Sequence, residues 1–224
     1  MASVKVVDLI ARASKVLNDD GLARWTPAEL QYWLNDGYRE TVIFRPDSNS
    51  KTGTFACVVG PRQKITTTFA DATQLMEVVR NVASSSDKSS VKLISRSTLD
   101  DMDRTWYGLA GAVTVERYAY DPRLPREFLV YPPAAVGAQL EIIYSSVPAP
   151  HTLTSAELQN VLTTEVIRID DSFANALLDY MLFRAYNKEA EASSIAKATA
   201  HYQAFQNSLG VKGTTEAATQ SGVA

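Results

Sequence analysis

The chain has 224 residues, 46% of them hydrophobic, enough to bury a sizeable core, and its 22 basic and 25 acidic residues leave a net charge of −3. That near-balance argues against a nucleic-acid binder of the usual basic kind, although nucleic acid could pass close by without being gripped. A single cysteine, Cys57, excludes a disulfide framework and a cysteine metal cluster.

Residues 4–18 read as a helix, because Val6, Leu9, Ala13 and Val16 recur at steps of three and four, with Gly21 beyond as a stop. The start Met1-Ala2-Ser3-Val4-Lys5 lacks the apolar core of a secretory signal, and no apolar run approaches the ~18–20 residues that cross a membrane. A soluble protein made in a reducing cytoplasm is therefore expected, with no membrane partner.

Thr26-Pro27-Ala28-Glu29 opens a second helix. It joins an N-cap threonine, a proline at the first helical position and a glutamate able to reach back to the cap. Leu30, Trp33, Leu34, Tyr38 and Val42 then share an apolar face, which places Trp33 in the core. Arg45-Pro46 ends the helix, since the residue before a proline leaves helical geometry.

From residue 54 to 148 the period falls to two. Strands are expected at 54–59, 63–67, 75–82, 91–95, 112–120, 127–131 and 139–145, separated by turn formers such as Gly60-Pro61, Asp121-Pro122 and Pro132-Pro133. Residues 84–90 read as a polar hairpin tip, a short helix interrupts near 98–104, and Cys57 reads as a buried strand residue.

Helical spacing returns after Asp170-Asp171. Phe173, Leu177, Leu178, Met181, Leu182 and Tyr186 form one stripe; Ile195, Ala198, Tyr202, Phe205 and Leu209 form a second, spaced to pack on another helix. Gly210 is expected to close that helix, and residues 211–224, with little to bury, to stay disordered alone.

Neither helical pair can hide its apolar face by itself. The expected fold is α+β, a four-helix bundle of the N- and C-terminal helices with an inserted antiparallel β domain, either a sandwich or a small barrel. The divisions fall at 1–50 for the first helical pair, 51–165 for the β domain, 166–210 for the second pair and 211–224 for a flexible tail.

Reactive groups are sparse. His151, beside Pro150 in a loop, and His201, in the last helix, read as polar surface or helix-face residues. No paired-histidine or cysteine–histidine metal spacing, phosphate-binding glycine loop or nucleophile elbow occurs. Asp100, Asp101 and Asp103 come closest to a cation site; the better reading places them near the positive end of a short helix capped by Ser97 or Thr98. Asp170-Asp171 admit the same reading. Tyr118, Tyr120, Tyr131 and Tyr144 fit strand packing or a protein interface, since base stacking would also need a basic groove. No catalytic, cofactor-binding or metal residue is assigned, and no cofactor is expected.

Several runs, in matching order across nearly the whole chain, carry a resemblance. Trp25-Thr26-Pro27-Ala28-Glu29-Leu30 leads to Trp33-Leu34-Asn35-Asp36-Gly37-Tyr38-Arg39-Glu40 and Arg45-Pro46-Asp47. Gly60-Pro61-Arg62-Gln63, Val79-Arg80-Asn81 and the hairpin from Asp121-Pro122 through Phe128-Leu129-Val130-Tyr131-Pro132-Pro133 follow. Leu177-Leu178-Asp179-Tyr180, Glu189-Ala190-Glu191, His201-Tyr202-Gln203-Ala204-Phe205 and Leu209-Gly210 complete the set. Together they resemble the head-to-tail adaptor (connector, or tail tubular) proteins of short-tailed bacteriophages. Pro61, and Ile65 in place of a Leu-Pro after Gln63, depart from the pattern.

The resemblance implies a structural virion protein, not an enzyme. Such adaptors form a ring of about a dozen copies under the portal protein. The tail nozzle or tail tubular protein docks below, and DNA passes through the lumen without specific binding. Their C-terminal segments reach the portal, which here implicates Leu209, Gly210, Val211 and Lys212. The alternatives are another neck or tail-completion protein, a host-directed phage enzyme, which would need convergent reactive groups, and a nucleic-acid-binding module.

Overall fold

The computed structural model describes residues 3–83, 88–189 and 192–221, with side chains through residue 210. Residues 84–87, within the expected polar hairpin tip, lie outside the described residues. The chain folds as two compact units, residues 1–49 with 148–224, and residues 50–147. The architecture is α+β.

In the first unit, α1 (Val6–Leu17) buries Val6, Leu9, Ile10, Ala13 and Leu17, while Val16 faces solvent. It ends at Asn18 rather than Gly21, because Asn18 takes the left-handed conformation (φ 54°) that short polar residues tolerate. Helix α2 (Pro27–Phe44) starts with the full capping box: Thr26 Oγ1 accepts from the Glu29 N–H at 3.4 Å, and Glu29 Oε2 accepts from the Thr26 N–H at 3.2 Å. Leu30, Leu34, Tyr38 and Val42 are buried.

Trp33 is not a core residue. It lies half-buried at the flank of the core, because Leu30, Leu34 and Tyr38 step by four and draw the buried stripe away from it. Trp25 is the buried tryptophan of this region, its indole N–H donating to the Ala185 carbonyl at 3.3 Å. The short α4 (Ser155–Leu158) and helices α5 (Ala174–Asn187) and α6 (Ala192–Ser221) share one core with α1 and α2, to which Leu158, Leu177, Met181, Phe205 and Leu209 contribute.

Helix α6 does not stop at Gly210; it continues to Ser221. A glycine inside a helix costs about 1 kcal/mol relative to alanine but ends it only when it turns left-handed. Among the described residues the glycines with positive φ are Gly60 and Gly137.

The second unit holds two sheets. One runs β1 (Ser50–Ala56), β7 (Gln139–Ser146), β3 (Ala72–Asn81) in spatial order, all antiparallel. The other runs β2 (Gly60–Lys64), β6 (Glu127–Ala134), β5 (Arg117–Tyr120), β4 (Lys92–Leu93). Its β4–β5 pair is parallel, so the unit is mixed rather than purely antiparallel. Neither sheet closes on itself, which removes the barrel alternative. Phe55, Val78 and Ile142 of the first sheet share a core with Tyr118, Phe128 and Val130 of the second. On the other face of the second sheet, Leu99 of α3 (Arg96–Met102) and Trp106 pack with Ala119.

One packing detail limits the helical unit. A Cβ added at Gly37 would lie 3.2 Å from Tyr180 Cδ1 and 3.3 Å from Leu177 Cδ2, so α2 and α5 approach closely at that residue. A large side chain there forces the helices apart. Gly37→Leu is expected to lower stability by about 1–3 kcal/mol despite leucine's better helix propensity. A thermal melt checks this, and an unchanged melting temperature would contradict the close approach.

Candidate functional site

Several polar side chains buried in this protein bond to backbone. On α2, Gln31 and Asn35 sit one turn apart and face an extended segment. Asn35 Nδ2 donates to the His151 carbonyl at 3.0 Å and its Oδ1 accepts from the His151 N–H at 2.8 Å. Gln31 repeats the pattern on Leu153, at 3.1 and 2.9 Å. Further along, Val6 N–H donates to the Glu165 carbonyl and Ile167 N–H to the Val4 carbonyl, each at 2.9 Å. Asp171 accepts from the backbone N–H groups of Ser3 and Val4 at 2.8 and 3.0 Å, tying the N-terminal residues to the start of α5.

Within this frame the fold assembles a carboxylate, an imidazole and a hydroxyl. Tyr38 Oη lies 2.8 Å from His151 Nε2, and His151 Nδ1 contacts Glu165, which also accepts from Arg168 at 2.9 Å. Tyr38 Oη accepts from the Arg168 N–H at 3.2 Å, and because the Glu165 carboxylate can only accept, the proton of the neutral ring sits on Nδ1 and Nε2 accepts from the Tyr38 hydroxyl. His151 is therefore the Nδ1–H tautomer and donates to Glu165.

The order of groups matches a catalytic relay in form only. Tyr38 is fully buried, burial pushes its pKa well above the ordinary phenol range, and no face of its oxygen is open to a substrate. Burial also lowers the His151 pKa despite the Glu165 carboxylate beside it. Glu165 itself is held below the usual carboxylate range: burial raises it, and the bonds from His151 and Arg168 outweigh that. With 2% of its surface exposed, His151 is a buried structural group, which corrects its reading as a surface residue.

The sheet unit uses the same device. Gln63 is completely buried; its Nε2 donates to the carbonyls of Val58 and Gly60, and its Oε1 accepts from the Val58 N–H, all at 2.8 Å. Asn81 Nδ2 donates to the Val115 carbonyl at 2.7 Å and its Oδ1 accepts from the Val115 N–H at 2.9 Å. In the helical unit Arg45 grips Asp47 and donates to the Leu209 carbonyl at 3.1 Å. These residues escaped a reading for chemistry because amides and a paired arginine carry no catalytic signature. The available signal was polar residues falling on an apolar helix face, as Gln31 and Asn35 do beside Leu34 and Tyr38.

The remaining candidates resolve locally. Ser95, not Ser97 or Thr98, caps α3 by accepting from the Thr98 N–H at 3.1 Å. Asp100 and Asp101 thus fall in its last turn, where the dipole does not favour them. Asp100 instead accepts from the Trp106 indole at 2.8 Å, and Asp103 accepts from the Thr105 N–H at 2.8 Å. Among the described residues no group of three or more His, Cys, Asp or Glu could hold a metal ion. Asp170 caps the turn before α5 through the Ser172 N–H at 2.9 Å.

His201 pairs with Asp179 at 2.9 Å and stacks on Tyr186. Cys57 lies just beyond β1 rather than within a strand, half-buried, with its thiol pKa pushed up to about 12 by burial. Tyr118 and Tyr144 are buried in the sheet core, Tyr120 packs at its margin, and Tyr131 meets Trp106 edge-on. Leu209 is buried in the helical core, Gly210 is exposed, and residues 211 and 212 continue the same helix. No described helix is long and apolar enough to cross a membrane.

A family model described as SU10 adaptor protein matches residues 4–224 of the chain. No curated protein matches it significantly.

Two outcomes follow from the buried polar groups. Gln63→Leu keeps the volume but strips three partners from the turn at Val58 and Gly60, and should cost about 1–3 kcal/mol in a denaturant melt. The second concerns pH. The His151 pKa is lowered on folding, so the unfolded chain takes up its proton first as pH falls. Stability is thus fully present above about 6.5, the ordinary imidazole value, and declines below it. Urea midpoints measured from about pH 7 to about pH 5.5 should fall, and fall less steeply in His151→Gln.

Proposed function

The chain belongs to the SU10 adaptor protein family of structural phage adaptors, and from that premise we propose that it is the head-to-tail piece of the virion neck. In this reading about a dozen copies form a closed ring under the portal protein. The tail nozzle or tail tubular protein docks on the ring, and the genome passes through the lumen. Assembly takes place in the host cytoplasm.

The observation that carries the reading is the extent of the family match, residues 4–224, which takes in both compact units. Two physical features support it. Gln31, Asn35, Gln63 and Asn81 are engaged in holding irregular backbone in place, as befits a load-carrying part rather than a catalyst. The slight negative charge suits a conduit, because a lumen rich in Lys and Arg would bind passing phosphates and retard them.

The portal contact is assigned to the segment that begins at Leu209, Gly210, Val211 and Lys212. Leu209 roots it: the side chain is in the core and the carbonyl is held by Arg45. Beyond it the residues are mostly small and polar, with little apolar area to bury on their own unit. A stop codon after Gly210 should leave the melting temperature nearly unchanged while reducing co-sedimentation with purified portal rings by about tenfold or more. Equal co-sedimentation would sink the assignment. A large drop in melting temperature would show that residues 211–224 belong to the folded unit.

A further inference from the structure

The two edges of the three-stranded sheet are treated differently. At one edge β3 is covered: its Leu75 N–H donates to the Pro125 carbonyl at 2.8 Å, its Asn81 N–H donates to the Ser89 carbonyl at 2.9 Å, and its Val79 carbonyl accepts from the Val91 N–H at 3.2 Å. At the other edge β1 bonds to β7 through its odd-numbered residues. Cys57 N–H donates to the Ala138 carbonyl at 3.0 Å, and the β1–β7 pairs continue that register without a shift from Ala56 back to Ser50. Bonded pairs alternate along an antiparallel ladder, so Ser50, Thr52, Thr54 and Ala56 turn their N–H and carbonyl groups away from β7. All four residues are exposed, and among the described residues none bonds to those groups.

Free edges are ordinarily blunted, and the second sheet shows how. Its β4 is two residues long. Its β2 carries Pro61, which has no N–H to offer, shifts register between Gly60 and Arg62, and exposes the charged Arg62 and Lys64. Strand β1 has no proline, no shift, and only Ser, Thr, Thr and Ala at its outward positions. Its one charged residue, Lys51, belongs to the set bonded to β7 and is paired with Asp71 at 2.7 Å. Seven residues of regular strand, roughly 20 Å, are thus left as a template for another strand.

This edge is complementary to itself. Laid antiparallel against a second β1, it engages all four outward residues of both chains in one register only. Thr52 then stands opposite Thr54 and Ser50 opposite Ala56, with about eight backbone hydrogen bonds in all. Gly53 meets Gly53 on the two-fold axis, at a pair where the chains approach most closely and no side chain intervenes. Lys51 falls opposite Phe55, so like charges do not meet, and paired threonines add to strand association. From this self-complementarity we infer that the free chain pairs with a second copy through β1, which joins two three-stranded sheets into one. A ring relates its neighbours by rotation about one axis, whereas this pair has a two-fold of its own. It is therefore a contact made before assembly, and it does not rest on the ring reading.

The test uses the full-length chain alone. Sedimentation equilibrium at concentrations up to about 100 μM should show monomer and dimer in exchange. Hydrogen exchange read by NMR should show the Thr52 and Thr54 amides gaining about tenfold or more protection as concentration rises through that range. Thr54→Pro removes an outward N–H while leaving the β7 ladder intact, a substitution that edge strands tolerate, and should weaken pairing about tenfold or more. Thr54→Ala keeps the backbone donor and should change pairing by less than about threefold. A chain that stays monomeric at the highest concentration would overturn the inference. So would a dimer in which the two amides exchange as freely as in the monomer, assemblies that grow beyond two copies, or equal pairing by Thr54→Pro. The exchange measurement needs no variant, so it decides the question even where Thr54→Pro does not fold.

Discussion

Backbone that belongs to no helix or ladder still has to bond, and in this protein side-chain amides supply the partners. The match on α2 is metric. Gln31 and Asn35, four residues apart on a helix, are separated by a rise of about 6 Å; His151 and Leu153, two apart on extended chain, by about 6.7 Å. Two amides one turn apart can therefore address alternate residues of a strand as another strand would. An apolar residue at either position would leave a buried N–H and a buried carbonyl unpaired, at the full cost of their desolvation. Residues 148–169 owe their position to this device and to the Tyr38–His151–Glu165 chain, since they contain only one short helix.

The same constraint explains what the runs that carry the resemblance are made of. Gln63 in the Gly-x-x-Gln turn, Asn81 at the end of an Arg-Asn strand, Asn35 in the Trp-Leu-Asn run and Arg45 before Pro-Asp all turn inward and bond to main chain. These runs thus read as a set of fasteners for main chain.

Legibility in the sequence followed periodicity. The capping box at Thr26, the proline stop at Pro46, the two C-terminal stripes apart from the exposed Ile195, and most strands were readable because each has a local period or a local chemical signature. Three kinds of feature were not. Trp33 was misplaced because one step of 100° around a helix separates flank from core, and composition cannot resolve it. Helix ends at Asn18 and beyond Gly210 depended on a backbone angle that residue identity only biases. His151 looked like a surface residue because its partners Tyr38 and Glu165 lie 113 and 14 positions away. Contacts of that range leave no trace in local pattern, and the fasteners belong to the same class.

The unit built from residues 1–49 and 148–224 is discontinuous in the chain, while residues 50–147 are contiguous. During synthesis this imposes an order. The sheet unit has all its strands once Ser146 has left the ribosome, but α1 and α2 must wait for α5, whose first residue follows the last of α2 by 130 positions. At ordinary translation rates that wait is on the order of ten seconds. Through it the nascent chain carries Leu9, Leu30 and Leu34 without their final cover, so the first helices translated are among the last to be protected.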